Sequence, residues 1–143
     1  MGDDPLKRFR QPQELYFGAA WKEIEQGRKT THWMWFFFPQ LAGLGSSETA
    51  RRFAIRDLKE ACLFLDDPVL GSRLIALSRL LAGIEGRSAA EIFGSPDDLK
   101  LRSSMTLFSL VPGADPVFEA VLVRYYGGQK DPRTVLLLEK TLG

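Results

Sequence analysis

The chain has 143 residues, 45% hydrophobic and 26% charged, the make-up of a folded globular protein rather than a disordered one. Its 19 basic and 18 acidic residues leave a net charge of +1, which argues against a general nucleic-acid binder, since that footprint needs a marked basic excess. One cysteine (Cys62) cannot form an internal disulfide, and with the single histidine (His32) it cannot build a zinc site of the usual kind.

The charged start, "MGDDPLKRFRQPQ", has no apolar run and reads as neither a secretory signal nor a membrane anchor. Phe17, Ala20, Trp21 and Ile24 recur at helical spacing and predict a first helix that ends at Gly27. Residues 33–38, "WMWFFF", are the densest apolar run. Six residues before Pro39 fall far short of the roughly 20 that a membrane span needs, so no membrane is expected and a cytoplasmic location is. Thr31 is placed to cap a helix through this run. "GLGSSETARR" reads as a loop with Ser46 or Ser47 as helix cap, its glycines and Arg51 and Arg52 making only a weak phosphate motif. Asp57 and Glu60 are spaced as a capping box.

From there prolines organise the chain. Asp67-Pro68, Ser95-Pro96, Asp115-Pro116 and Asp131-Pro132 each join a capping side chain to a proline suited to a helix start. Leu70, Leu74, Leu77 and Leu81 follow the first, with Gly83 as stop. Phe118, Val121, Leu122 and Tyr125 follow the third, with Gly127 as stop. Ser88 and Glu91 form a second box, before Gly94. No stretch alternates long enough to predict a strand. The expectation is an all-α fold over residues 1–143: one domain of seven or eight short helices packed around a central aromatic helix.

Three stretches, "RKTTHWMWFFFPQLAGLG", "TARRFAIRDLKEACLFLDDPVLGSRL" and "IFGSPDDLKLRSSMTLF", resemble the bacterial family of domain of unknown function 1810, over residues 9–138. The resemblance implies a mostly helical domain and no established activity. Some members carry the label calpastatin. Calpain inhibitors of that type are disordered, polar and repetitive, and this aromatic-rich chain is none of these.

Two readings of "THWMWFFFPQ" stand side by side. As a core plug it explains the phenylalanines and Met34. As a pocket wall it explains His32, Trp33 and Trp35, whose ring N–H groups demand partners that Phe or Leu would not. The pocket reading takes His32, Trp35 and the amide of Gln40 as its lining. "DDLKLRSSMTLF" supplies a second polar set, Asp98, Lys100, Ser104 and Thr106, with Leu101, Met105 and Phe108 facing the core. Asp98 and Arg102 are spaced as an ion pair. No cofactor or metal is called for.

A binding module for a small anionic or nucleotide-like ligand is the leading functional reading. A hydrolase or N-glycosidase acting on a nucleotide or ADP-ribose-type compound is the alternative, with Glu14, Asp97 or Asp98 beside His32 as acid–base candidates. A short likeness of "DDPVLGSRLIAL" to the helical NADAR family, whose members act on ADP-ribose derivatives, is its warrant. A protein–protein interaction domain is the third. Oligomeric state is not legible.

Overall fold

The computed structural model describes residues 3–142. Among them are nine helices: α1 (Lys7–Glu25), α2 (Met34–Phe37), α3 (Glu48–Arg52), α4 (Leu58–Asp66), α5 (Leu70–Ala82), α6 (Ala89–Phe93), α7 (Asp97–Ser109), α8 (Val117–Tyr126) and α9 (Pro132–Leu142). The only extended pairing among these residues is an isolated bridge between Leu41 and Ile55. The fold is all-α, with nine helices among the described residues against the seven or eight expected, and α2 and α3 are single turns.

Most starts are built as the sequence indicates. Asp67 Oδ1 accepts from the N–H groups of Val69 and Leu70, Asp115 Oδ1 from that of Val117, and Asp131 Oδ2 from that of Thr134. Ser47 caps α3, and Ser88 and Glu91 close a reciprocal box on α6. Two starts differ. Ser95 does not cap α7; the Asp98 N–H instead reaches the Gly94 carbonyl at 2.9 Å, and Asp97 and Asp98 complement the helix dipole. Asp57 caps α4, but Glu60 does not reach back to it. Its carboxylate is taken by the Arg8 guanidinium.

The aromatic run is not a long central helix. Pro39 pushes Phe38 out of the helical region, to φ −123° and ψ 64°, so only one turn forms. Thr31 cannot cap it. His32 lies outside α2, and the free first-turn N–H groups are not at the imidazole. The most enclosed long helix is α7, where Leu101 and residues 103–108 are all buried. It lies against α4, α6, α8 and α9, while α5 packs on α1, α4 and α8. Trp33, Met34, Phe37 and Phe38 still enter the core, Trp33 edge-on to Phe37 and Phe93. Trp21, expected on the core face of α1, sits at its margin, 37% exposed.

Candidate functional site

Glu23 fixes the segment that precedes α2. Its carboxylate, buried at the end of α1, accepts from the N–H groups of Thr30 and Thr31, the Thr31 hydroxyl and Trp33 Nε1, at 2.6–3.0 Å. Burial pushes the Glu23 carboxyl up, but these donors outweigh it and hold the pKa at about 2. Trp33 is thereby a structural residue with its indole N–H satisfied. The same anchoring leaves His32 exposed at the protein surface, three positions before Trp35 and beside Thr31.

Trp35 is different. Its ring is partly covered, and its Nε1 is shut from solvent without a hydrogen-bond partner. A buried donor left unmade costs about 1–3 kcal/mol. The Lys100 ammonium lies 5.0 Å from the Trp35 ring centroid. It is also 3.4 Å from Asp97 Oδ1, whose other oxygen holds Lys29 Nζ at 2.9 Å. Lys29 in turn lies 5.2 Å from the Trp33 ring centroid. Two lysines over two indoles thus share one carboxylate.

Lys100 is the centre of a forked groove. One arm, a cleft of about 390 Å³, is walled by His32, Trp35, Phe93, Ser95 and Asp97 with Lys29 beneath. The other, about 330 Å³, runs past Gln40, Leu99, Arg102 and Ser103 to Asp131 and Arg133. A narrow gap of about 10 Å³, room for one water-sized group, joins Trp35, Gln40 and Lys100 between them. The Gln40 main chain is held by Ile55, whose N–H donates to its carbonyl at 2.8 Å, so its side chain projects from a fixed point. Four cationic side chains line the fork against two carboxylates, in a chain whose net charge is +1. The fork is therefore locally basic.

Of the residues expected in a pocket, the structure brings together His32, Trp35, Gln40 and Lys100. Asp98, Ser104 and Thr106 are not in the fork. Asp98 turns toward α8, where the Tyr126 hydroxyl donates to its main-chain carbonyl, and burial and the Asp98 charge push that phenol upward. The Asp98–Arg102 pair does not form. Arg102 gives its Nε and Nη2 to the carbonyls of Gln129 and Lys130 instead. Ser104 is fully enclosed in the core, and Thr106 accepts from the Asp131 N–H and donates to the Arg102 carbonyl. The error has one cause. On a helix only one face meets a groove, and Lys100 and Ser103 are on it while Ser104 faces inward. Glu14 pairs with Arg73, outside the groove, and Cys62 packs against the core.

Lys29, Arg102 and Arg133 went unassigned as site residues. Lys29 stands inside "RKTTHWMW" and was legible by position; Arg133 carries no sequence signal and joins only because α9 docks beside α7. No group of three or more metal-ligating side chains exists among the described residues, and none of their helices is long and apolar enough to cross a membrane.

The model of a family described as "Protein of unknown function (DUF1810)" matches residues 3–138. The crystal structure of the conserved hypothetical protein Rv1873 from Mycobacterium tuberculosis is similar over 95% of this chain and 99% of that one, with 51% identity and a TM-score of 0.93. No curated protein matches.

Proposed function

The chain belongs to the DUF1810 family, which brings no assigned activity with it, and we propose from the geometry that the groove centred on Lys100 binds a small anionic molecule. The observation that carries this is the meeting of Trp35, Gln40 and Lys100 at one small gap, with the Lys100 ammonium 5.0 Å from the Trp35 ring centroid. A cation beside a polar amide and an aromatic face suits an oxygen acceptor, and a negative one is favoured by the surrounding cations. Both arms fall in the size range of small-molecule sites. The reading takes the chain as one cytoplasmic domain, supported by a continuous hydrophobic core and a lone cysteine.

The test is a thermal-shift screen of carboxylates and phosphates, followed by calorimetry with Lys100→Ala and Trp35→Phe. A ligand at 100 times its Kd raises stability by about 2.7 kcal/mol. Lys100→Ala should abolish binding. Trp35→Phe keeps an aromatic side chain but shrinks the face beside Lys100 and removes the N–H, and should weaken binding about tenfold, the equivalent of about 1.4 kcal/mol. Its own stability should stay within about 1 kcal/mol, because the lost donor was unpaired. Failure of every anion to bind, or binding indifferent to Lys100, overturns the proposal.

A further inference from the structure

The two arms of the groove differ in chemistry, and from that difference we infer that the ligand is a phosphorylated planar heteroaromatic molecule, of which a nucleoside monophosphate is the accessible probe. This rests on the anion-binding reading above and adds the ligand class and its orientation. The arm beside α6 is the aromatic one. His32, Trp35 and Phe93 line it, with Thr30 and Ser95 contributing hydroxyls. Its cation, Lys29, is spent: the side chain is 6% exposed, and its ammonium is committed to Asp97. A further negative group there would face the Asp97 carboxylate, to which Lys100, the arm's other lysine, is also paired. A flat ring with polar edges suits it.

The arm beside α9 is the phosphate one. Arg133 is exposed and makes no ion pair among the described residues. Arg102 is held in place by two main-chain carbonyls, which use Nε and Nη2 and leave Nη1 uncommitted. Asp131, the one carboxylate in this arm, is fixed through Oδ2, which accepts from the Thr134 N–H, the Thr134 hydroxyl and the Ser103 hydroxyl, and its single charge is outnumbered by Lys100, Arg102 and Arg133. Two guanidinium groups, one rigid and one free to close, match a phosphate's several oxygens better than a single ammonium does. The two arms meet at Lys100 and Pro96, so one molecule spans both.

The experiment compares adenosine 5′-monophosphate, uridine 5′-monophosphate, the two nucleosides and inorganic phosphate by calorimetry on the full chain. At least one monophosphate should bind ten or more times more tightly than both its nucleoside and inorganic phosphate. Arg133→Gln, a surface change that leaves folding intact, should erase the advantage of the monophosphate over the nucleoside without weakening the nucleoside. His32→Ala should weaken nucleoside and monophosphate by the same factor. The converse pattern, with His32→Ala removing the phosphate advantage and Arg133→Gln weakening the nucleoside, overturns the orientation. If carboxylates or free phosphate bind through Lys100 and no nucleotide does, the ligand class is wrong while the anion-binding reading stands. If no anion binds at all, both fall.

Discussion

Four aromatic neighbours, His32, Trp33, Trp35 and Phe37, take different roles. Phe37 is fully buried, and Phe37→Ala should cost roughly 3–5 kcal/mol in urea denaturation, because a cavity replaces the ring. His32 is exposed and accepts or donates no hydrogen bond to the described residues, so His32→Ala should move stability by less than about 0.5 kcal/mol. Trp33 and Trp35 differ in burial and in their N–H: Trp33 is fully buried and reaches Glu23 at 3.0 Å, while Trp35 is half-buried and its N–H has no hydrogen-bond partner. Glu23 is the residue that makes this difference. Its folded pKa of about 2 lies below the ordinary value of 4.5, so it contributes stability that is fully present above pH 4.5 and lost as pH falls toward 2. The size is about 3 kcal/mol at 1.36 kcal/mol per pKa unit. Urea midpoints measured from pH 5 to pH 2 should fall steeply in the parent chain and more shallowly in Glu23→Gln. Equal slopes would show that Glu23 is not the titrating anchor.

At the scale of elements, the close approach of α4 and α5 depends on Gly71. A Cβ there would stand 2.0 Å from the Leu65 carbonyl oxygen, which is main chain and cannot swing aside. Gly71→Ala should therefore destabilise by more than about 2 kcal/mol, although alanine is the better helix former by about 1 kcal/mol. A gain in melting temperature would refute the packing. The same corner carries Asp67, which caps α5 and binds Arg10 at 2.7 Å. The Arg10 guanidinium, with the Leu70 and Val69 N–H groups, outweighs burial and holds its carboxyl at about 2. Like Glu23, Asp67 supports the fold above the usual carboxylate range and releases it in acid. Helix α7 does two jobs at once, burying Leu101, Met105 and Phe108 on one side and presenting Lys100 and Ser103 on the other.

For the whole molecule, the balance of charge hides its distribution. Nearly equal numbers of acids and bases leave +1, yet the fork around Lys100 holds four cations and two carboxylates. A second basic cleft, where Lys7 and Arg8 meet Arg52 and Arg56, has the same balance against Asp3 and Asp4, with its Arg8 committed to Glu60, but no tryptophan lines it. Binding at the fork should accordingly weaken with ionic strength, as screening at about 0.15 M already acts over roughly 8 Å. Affinity measured at 50 and 500 mM salt checks this; salt-independent binding would contradict a charge-led site.

The sequence by itself determined the helical class and most helix starts, because a cap and its proline act within four residues and need no partner elsewhere. It marked His32, Trp35, Gln40 and Lys100 as polar groups among apolar neighbours, but marked Asp98, Ser104 and Thr106 equally. Tertiary structure alone decided which face of α7 meets the groove, that Glu23 would satisfy Trp33 and not Trp35, and that Arg133 would stand across from Lys100. Those outcomes depend on contacts between residues many positions apart. Local periodicity carries no information about which distant donor reaches which acceptor, and packing does.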